Sequence, residues 1–517
     1  MGGAGRGFGV RRVLLPLLLL SAVPAWAAPA APARTFQAQA LQERVEAIFA
    51  EAGPGPRFGL LVETIDGRTV VAIAPDQRFI PASNTKLFPT IAAFELLPQA
   101  DQDTGARVIL EPARKGPPDL VLQGRGDGRL SSAPDCRTNC LAELANAVAA
   151  RTRVVGDLIG DAALFPDERW SQGMSWNNIP TSSGTAMAAL TLDRNEVALR
   201  VTPGAPGQPP RAELSPYFTL DNRALTSAEE GGEPLAVHRL PGSRRLLLTG
   251  TLEAATEERL IRLGIDDPAH HAAWQLGRML EERGVRVTGR IVSRYREPGT
   301  GMVREEERGP AIAELSPGPL LDELTTINKV SQNLQAELLL RRLGLVRGQG
   351  SAAKGLEAIR SLLELAGVDP NAVTLADGSG MSTYNRVTPR ATVGLLRWAA
   401  GRPWGAEFRR TLPIGGIDGT LARRFQGGAL RGRIFAKTGS LNATNALAGY
   451  LLTRSGQTLV FAAYANDVPE GVRATLLIDR ALEEVALSDG AVVAPAQQQQ
   501  AVAALKAPSS EGIVKKQ

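Results

Sequence analysis

Residue patterns typical of β-strands occur near both ends of the main part of this chain, and patterns typical of helices lie next to each of them. Residues 58–64 and 68–73 read as one strand pair near the start, and 447–453 and 458–465 read as another near the end. Both pairs are closed by short turns rich in Gly, Asp and Ser. Helices flanked by early and late strands indicate one α/β (α+β) domain that is split by a long insertion.

The segments between the two strand pairs differ in pattern. Apolar residues recur at helical spacing in four stretches, and another helix is expected to begin near Ser83. The four stretches are 36–50, 272–283, 320–343 and 356–366. Residues 105–310 otherwise hold short apolar runs broken by Gly and Pro, which is typical of β-rich structure. We therefore expect a split domain at 28–95 and 311–489, with an inserted accessory region at 96–310.

Residues 1–27 have the features of a secretory signal peptide. Three arginines precede an apolar run at 13–23, and Ala25-Trp26-Ala27 is a typical cleavage site, so cleavage is expected before Ala28. The alternative is a retained membrane anchor, but the apolar run is shorter than the roughly 20 residues that a span needs. At the other end, residues 490–517 are rich in Ala, Gln and Ser and are expected to be disordered.

The net charge of +5 lies entirely at the two ends of the chain. The leader contributes +3 and the tail +2, which leaves residues 28–489 without net charge. Nucleic-acid binding depends on neutralising phosphates with clustered basic residues. A neutral body therefore argues against a nucleic-acid partner.

Cysteines and histidines are too few for most metal or redox sites. The two cysteines, Cys136 and Cys140, are expected to form a small structural disulfide in an oxidising compartment. A metal site is the alternative, but none of the three histidines lies near them in sequence. No H-E-x-x-H or G-x-S-x-G motif is present. We therefore expect no metal and no organic cofactor.

Three short polar motifs carry the candidate chemistry. In the first, Ser83 and Lys86 are three residues apart, so a helix would place them on one face. A serine becomes a nucleophile when a base takes its proton, and a lysine can be that base once burial or nearby charge depresses its pKa. The backbone N–H of Ser83 would serve an oxyanion. The alternative is a helix-capping serine followed by an exposed lysine.

The second and third motifs lie far along the chain. Ser331 and Asn333 are two residues apart and can both enter a site from a loop that leads into a helix. Lys437 and Thr438 would flank the same site from a strand, and Lys437 would also help to depress the pKa of Lys86. Gly439 would leave room for a substrate backbone, and the N–H of Ser440 would be a second oxyanion donor. Taken alone, these motifs also read as an ordinary helix cap and an ordinary turn.

The joint order of the motifs is more specific than any one of them. Ser-x-x-Lys, Ser-x-Asn and Lys-Thr-Gly, in this order, are typical of penicillin-binding proteins and serine β-lactamases. The chain most resembles the low-molecular-mass class C penicillin-binding proteins, the D-alanyl-D-alanine carboxypeptidase/endopeptidase family (peptidase family S13). The stretches 377–382 and 412–421 and the long gap between Lys86 and Ser331 support this resemblance.

The resemblance implies a penicillin-binding, β-lactamase-like transpeptidase fold and a role for each motif residue. Ser83 would be the acylated nucleophile, Lys86 its proton acceptor and Ser331 part of the proton relay. Asn333 would hold the substrate amide, and Lys437 and Thr438 would bind the terminal carboxylate. The resemblance also implies that Asp161 and Phe165 lie near the pocket and touch the stem peptide.

The function implied is that of a periplasmic serine DD-peptidase. It would act on peptidoglycan stem peptides, and on cross-links as an endopeptidase, and β-lactam antibiotics would acylate it. Two alternatives remain, which are a serine β-lactamase and a non-catalytic wall-binding protein on the same fold. Three residues depart from the family pattern. Gln332 stands where Asp is common and is expected to matter little, Thr383 stands where some members have Arg, and Pro89 is expected to kink the Ser83 helix.

Overall fold

The computed structural model of the protein describes residues 36–97, 105–300, 310–316 and 318–488. The expected signal peptide and tail lie outside these residues. The described residues form ten α-helices: α1 Phe36–Ala50, α2 Leu87–Leu96, α3 Leu141–Arg151, α4 Pro268–Glu282, α5 Leu320–Lys329, α6 Asn333–Val346, α7 Ala352–Leu365, α8 Pro389–Ala400, α9 Gly405–Thr411 and α10 Ala474–Leu487. None of these helices combines the length and the hydropathy needed to cross a bilayer.

The strands of the same residues are β1 Arg57–Thr64, β2 Thr69–Ile73, β3 Arg107–Glu111, β4 Asp119–Gln123, β5 Val154–Val155, β6 Leu158–Pro166, β7 Glu196–Thr202, β8 Arg211–Glu213, β9 Thr219–Asn222, β10 Leu225–Ser227, β11 Ala236–His238, β12 Arg245–Thr249, β13 Thr251–Glu253, β14 Arg259–Gly264, β15 Arg286–Val287, β16 Ile291–Arg296, β17 Ala311–Glu314, β18 Val373–Thr374, β19 Arg386–Val387, β20 Ile434–Leu441, β21 Thr444–Leu452 and β22 Thr458–Asn466. The mixed helix and strand architecture agrees with the predicted fold class.

The two terminal strand pairs meet in one antiparallel sheet of order β2-β1-β22-β21-β20. β1 and β22 pair along their whole length, from Arg57 opposite Asn466 to Thr64 opposite Leu459. Alternate residues of this sheet face two different cores, because side chains alternate across a strand. Leu60 packs with α1 and α10, whereas Leu61 packs with α2 and α5 to α9. The sheet is therefore the middle of three layers and is buried on both faces.

The insertion between α2 and α5 builds two further cores. The larger one lies between α3, α4 and a mixed sheet of order β16-β6-β4-β3-β17. The smaller one is formed by short strands between β7 and β14. Strand β17 pairs with β3, so it belongs to the insertion's sheet although the sequence division placed residue 311 in the catalytic part. Cys136 and Cys140 are joined by a disulfide just before α3.

Two local features of the helices differ from the sequence prediction. The helical pattern at 320–343 is interrupted, because Ser331 takes a positive φ of 62° that ends one helix and allows α6 to begin at Asn333. Pro89 does not kink α2. It is the third residue of that helix, where a backbone N–H would have no intrahelical partner. The preceding turn, Ala82–Lys86, is instead a 3₁₀ helix.

Candidate active site

Ser83 and Lys86 lie in the 3₁₀ turn that precedes α2. In a 3₁₀ helix the side chains at positions i and i+3 lie directly above each other, so the three-residue spacing brings the two together. Lys86 Nζ is 2.9 Å from Ser83 Oγ. Ala82, just before the serine, takes a positive φ of 46°, which is a strained conformation for a residue with a side chain. The turn is therefore set by its surroundings rather than by local preference.

Lys86 is completely buried and makes three polar contacts. Its Nζ contacts Ser83 Oγ, Asn333 Oδ1 at 2.7 Å and the carbonyl oxygen of Ser379. Burial lowers the pKa of Lys86 to about 7, against the opposing charges of Asp377 and Glu337. An ammonium group has three N–H donors for these three contacts, whereas a neutral amine has two and a lone pair. The neutral form can therefore accept the proton of the Ser83 hydroxyl.

The loop at 377–380 fixes the carbonyl that contacts Lys86. Asp377 accepts the N–H groups of Gly380 at 2.9 Å and Ser382 at 2.7 Å. Glu337, on α6, accepts the N–H groups of Gly378 at 3.0 Å and Ser379 at 2.8 Å. Burial and the charge of Asp377 raise the pKa of Glu337. The two carboxylates thereby hold the Ser379 carbonyl against Lys86.

This part of the site was not predicted from the sequence. The D-G-S-G stretch at 377–380 contributed only to the family resemblance, and Glu337 was not singled out. A signal was present, because Glu337 follows Asn333 by four residues and so lies on the same face of α6. Gly380 takes a φ of +84°, and a Cβ there would stand 2.0 Å from the Ala82 carbonyl oxygen, so this loop packs directly on the Ser83 turn.

Ser331 and Lys437 form a second serine–lysine pair. Lys437 is buried on β20, and its Nζ is 2.9 Å from Ser331 Oγ and 2.9 Å from the Thr438 carbonyl oxygen. Burial and the charge of Lys86 lower the pKa of Lys437. The sequence led to the expectation that Lys437 would help to lower the pKa of Lys86. Instead, burial lowers the pKa of Lys86, and burial together with the charge of Lys86 lowers the pKa of Lys437. The positive φ of Ser331 turns its side chain out of the α5–α6 junction toward the lysine.

Asn333 joins the catalytic part to the insertion. Its Oδ1 accepts from Lys86, and its Nδ2 donates to the Ser183 carbonyl at 3.0 Å. Gln332, which was expected to matter little, caps α6, because its Oε1 accepts the N–H of Gln335 at 2.8 Å. The predicted loop leading into a helix is therefore present, and all three side chains of the second motif have partners.

The third motif lies on β20, at the edge of the central sheet. Thr438 Oγ1 donates to Thr420 Oγ1 at 2.7 Å, and Ser440 is exposed. Gly439 has a different role from the one expected. A Cβ at this position would lie 2.6 Å from the Pro81 carbonyl oxygen, so the glycine admits the chain's own Ser83 turn rather than a substrate backbone.

Asp161 and Phe165 are not in this pocket, which corrects the expectation that they touch the stem peptide. Both side chains are buried in strand β6 of the insertion. Asp161 accepts the N–H of Ala163 at 2.8 Å and pairs with Arg294 at 3.3 Å, while Phe165 packs in the larger core of the insertion. Buried side chains with these partners hold the insertion together and present no surface to a ligand.

Residues 41–485 match the sequence profile of one family, described as the D-Ala-D-Ala carboxypeptidase 3 (S13) family. The chain belongs to this family. It is therefore an enzyme of the serine-type D-Ala-D-Ala carboxypeptidase class, and the family inferred from the three motifs is confirmed. It is 33% identical over 487 residues to a D-alanyl-D-alanine carboxypeptidase of Actinomadura sp. strain R39, which covers 90% of this chain and 87% of that protein. It is 24% identical over 436 residues to D-alanyl-D-alanine carboxypeptidase DacB of Haemophilus influenzae, covering 81% of this chain and 87% of that one.

The fold of this S13 protein matches a solved structure over most of its length. The crystal structure of penicillin binding protein 4 (dacB) from H. influenzae aligns with a TM-score of 0.73 at 22% identity. The alignment covers 85% of this chain and 98% of that one. The same H. influenzae protein has also been solved in complex with a β-lactam. The penicillin-binding-protein fold expected from the sequence is therefore confirmed.

Proposed function

We propose that this chain is an exported DD-peptidase that removes the terminal D-Ala of peptidoglycan stem peptides through an acyl-enzyme on Ser83. The observation that carries the proposal is the 2.9 Å contact between Ser83 Oγ and the buried Lys86 Nζ. A lysine with a pKa of about 7 is half neutral at neutral pH, so it can act as a general base. The role of each residue follows from its place around this pair.

In the acylation step, the Ser83 hydroxyl proton passes to Lys86 Nζ as Oγ bonds to the carbonyl carbon of the penultimate D-Ala. The C–N bond to the terminal D-Ala then breaks, and the leaving amine takes the hydroxyl proton of Ser331, which the ammonium group of Lys437 replaces. Water afterwards attacks the acyl carbon while its proton passes through Ser331 to the now neutral Lys437. The ester C–O bond breaks, Ser83 Oγ takes back the proton held by Lys86, and the shortened peptide is released. The two serine–lysine pairs would thus supply the proton acceptor and the proton donor of the reaction.

Backbone geometry supports Ser83 and Ser440 as oxyanion donors. The N–H of Ala436 points away from β21, because it donates to the Pro413 carbonyl at 3.0 Å. Since successive N–H groups of a strand alternate in direction, the Ser440 N–H, four residues later, faces the same outer edge of the sheet. The Ser83 N–H comes from the 3₁₀ turn that packs on Gly439 of this strand. Two such donors stabilise the charge on a tetrahedral intermediate.

Lys437 and Thr438 would bind the carboxylate of the terminal D-Ala. Without a ligand, burial and Lys86 favour the neutral form of Lys437. An arriving carboxylate favours the charged form, so substrate binding would raise the pKa of Lys437. Asn333 would hold the substrate amide through the side chain that now bridges Lys86 and Ser183.

Three further elements of the proposal rest on the family and on the leader sequence. Endopeptidase cleavage of cross-links would use the same atoms with a longer leaving group. β-Lactams would acylate Ser83, because they present a strained amide and a carboxylate to the same groups. The signal-like sequence before Ala28 supports export of the enzyme to the periplasm, where its proposed substrate would lie.

Covalent labelling with a fluorescent penicillin tests the proposal. The wild type should label and should release D-Ala from a stem pentapeptide, as measured by mass spectrometry. Ser83→Ala should do neither, whereas Ser455→Ala, in the β21–β22 turn, should behave as the wild type. Labelling that persists in Ser83→Ala overturns the nucleophile. Fast nitrocefin turnover without D-Ala release indicates a β-lactamase, and peptide binding without either reaction indicates a binding protein.

A further inference from the structure

A cavity of about 520 Å³ lies in the insertion, outside the catalytic pocket. Its walls come from the sheet of β9, β11 and β12, from the loop after β11 and from residues 176–180. This volume falls within the range of small-molecule binding sites. None of the residues that line it takes part in the serine–lysine chemistry described above.

The rim of the cavity exposes large apolar side chains. Trp176 is 69% exposed and Leu240 is 75% exposed, and both line the cavity together with the polar side chains of Asn177 and Ser243. Leaving an indole face in water has a free-energy cost unless a ligand covers it. A sugar ring matches this surface, because it has apolar C–H faces to lie on an indole and polar edges for hydrogen bonds.

The charge beside Trp176 favours an anionic ligand. Arg223 and Arg245 are both exposed at the cavity and share a single carboxylate, Asp221, at 2.8 Å and 3.6 Å. One positive charge of this trio is therefore not balanced within it. Guanidinium groups bind carboxylates with two parallel hydrogen bonds, and these two line the same cavity as the indole of Trp176.

A short segment connects the cavity wall to the catalytic pocket. The 3₁₀ turn Trp176–Asn178 packs against the turn Ser182–Gly184, whose Ser183 carbonyl accepts from Asn333 at 3.0 Å. Between the turns, the buried Arg239 donates to the Ile179 carbonyl at 3.2 Å. A stem of about four residues spans at most about 14 Å, so a glycan joined to a peptide at Ser83 remains near this segment.

We infer that this cavity binds the glycan strand of peptidoglycan, an N-acetylated saccharide, while the stem peptide of a neighbouring muramic acid unit occupies the Ser83 pocket. Trp176 stacks on a sugar ring, and Arg223 and Arg245 bind the lactyl carboxylate of a muramic acid unit that carries no stem peptide, because a stem peptide would be joined through that same carboxyl group. The inference rests on the proposed function for its substrate. It adds that the enzyme recognises the polymer and not only the peptide.

Binding of a peptide-free tetrasaccharide of alternating N-acetylglucosamine and N-acetylmuramic acid tests the cavity directly. Isothermal titration calorimetry on the full chain should show binding that weakens at least about tenfold in Trp176→Ala and in the double variant Arg223→Ala/Arg245→Ala. Arg211→Ala is the matched control, because Arg211 is also exposed and paired with one carboxylate but lies outside the cavity. A chitotetraose of equal length, which lacks carboxylates, should bind more weakly. No binding by the wild type, equal binding by the variants, or equal affinity for both sugars overturns the assignment.

Kinetics separate this inference from the proposed function. For D-Ala release, Trp176→Ala should lower kcat/KM about tenfold on a disaccharide-linked pentapeptide and leave it unchanged on the free pentapeptide. An equal loss on both substrates indicates a structural role and overturns the inference. If the wild type releases no D-Ala from the free peptide, the proposed function fails, whereas the calorimetric result still decides whether the cavity binds glycan.

Discussion

Acylation of Ser83 by a β-lactam should fall steeply as the pH is lowered, because it requires neutral Lys86. With a pKa of about 7, half of Lys86 is neutral at pH 7. An ordinary lysine would be neutral in only roughly one molecule in three thousand at that pH. At pH 5 the neutral fraction of Lys86 drops to about 1%, so the second-order rate constant should fall about 100-fold from its value above pH 8.

Stopped-flow measurement of acylation by a fluorescent penicillin, from pH 5 to pH 9, gives the rate constant and its midpoint. The substitution Glu337→Gln tests what sets the midpoint of this pH dependence. The amide oxygen can still accept the N–H groups of Gly378 and Ser379, but the negative charge that raises the pKa of Lys86 is gone. The midpoint should therefore move to lower pH, by on the order of one unit for a carboxylate so close to a buried amine.

The matched control is Glu407→Gln, which removes an exposed carboxylate from α9 and should leave the midpoint unchanged. A rate constant that varies less than about threefold between pH 5.5 and pH 8 would refute the assignment of Lys86 as a base with a depressed pKa. A midpoint that stays in place in Glu337→Gln would show that this carboxylate does not act on the lysine.

Two other predictions concern the packing of the site. Burial lowers the pKa of Lys86 from 10.5 to about 7, so keeping this lysine buried destabilises the fold at any pH where it would be charged in water. This destabilisation is complete below pH 7, decreases as the pH rises, and is absent above pH 10.5. In urea denaturation, the free energy of unfolding of the wild type relative to Lys86→Met should therefore rise by about 1.4 kcal/mol per pH unit between pH 8 and pH 10, and a constant difference would contradict the shift. Gly439→Ala would push a Cβ against the Pro81 carbonyl oxygen and displace the Ser83 turn, so penicillin acylation should fall more than tenfold. Gly427→Ala, where a Cβ meets nothing within 4 Å, is its control, and equal acylation by both variants would show that the close approach does not position Ser83.

The sequence led to the family and to the motif residues because their chemistry is tied to short spacings. Ser83 and Lys86 lie in a single turn, and Ser331 and Asn333 lie at the start of one helix. Within each motif, the spacing along the chain is therefore enough to predict that the two side chains lie on the same side of the backbone. The strand pairs at 57–73 and 444–466 were also predictable, because their apolar patterns and turns are local.

Other parts of the site depend on contacts between distant segments and could not be read in this way. The Ser379 carbonyl reaches Lys86 across 293 residues of sequence, and a backbone atom carries no side-chain signal. Gly439 was assigned to the substrate because its true neighbour, Pro81, lies far away in the chain. Asp161 and Phe165 were placed near the pocket by resemblance alone, and their burial in β6 follows from the packing of the insertion.

The sequence by itself determined the residue types of the candidate site and the order of the motifs. The tertiary structure decided which charges the pocket holds. Whether Lys86 and Lys437 are neutral depends on how much water and how many carboxylates surround them, and that environment is built by segments hundreds of residues apart. Spacing along the chain specifies partners within one turn of a helix, but burial is a property of the whole fold.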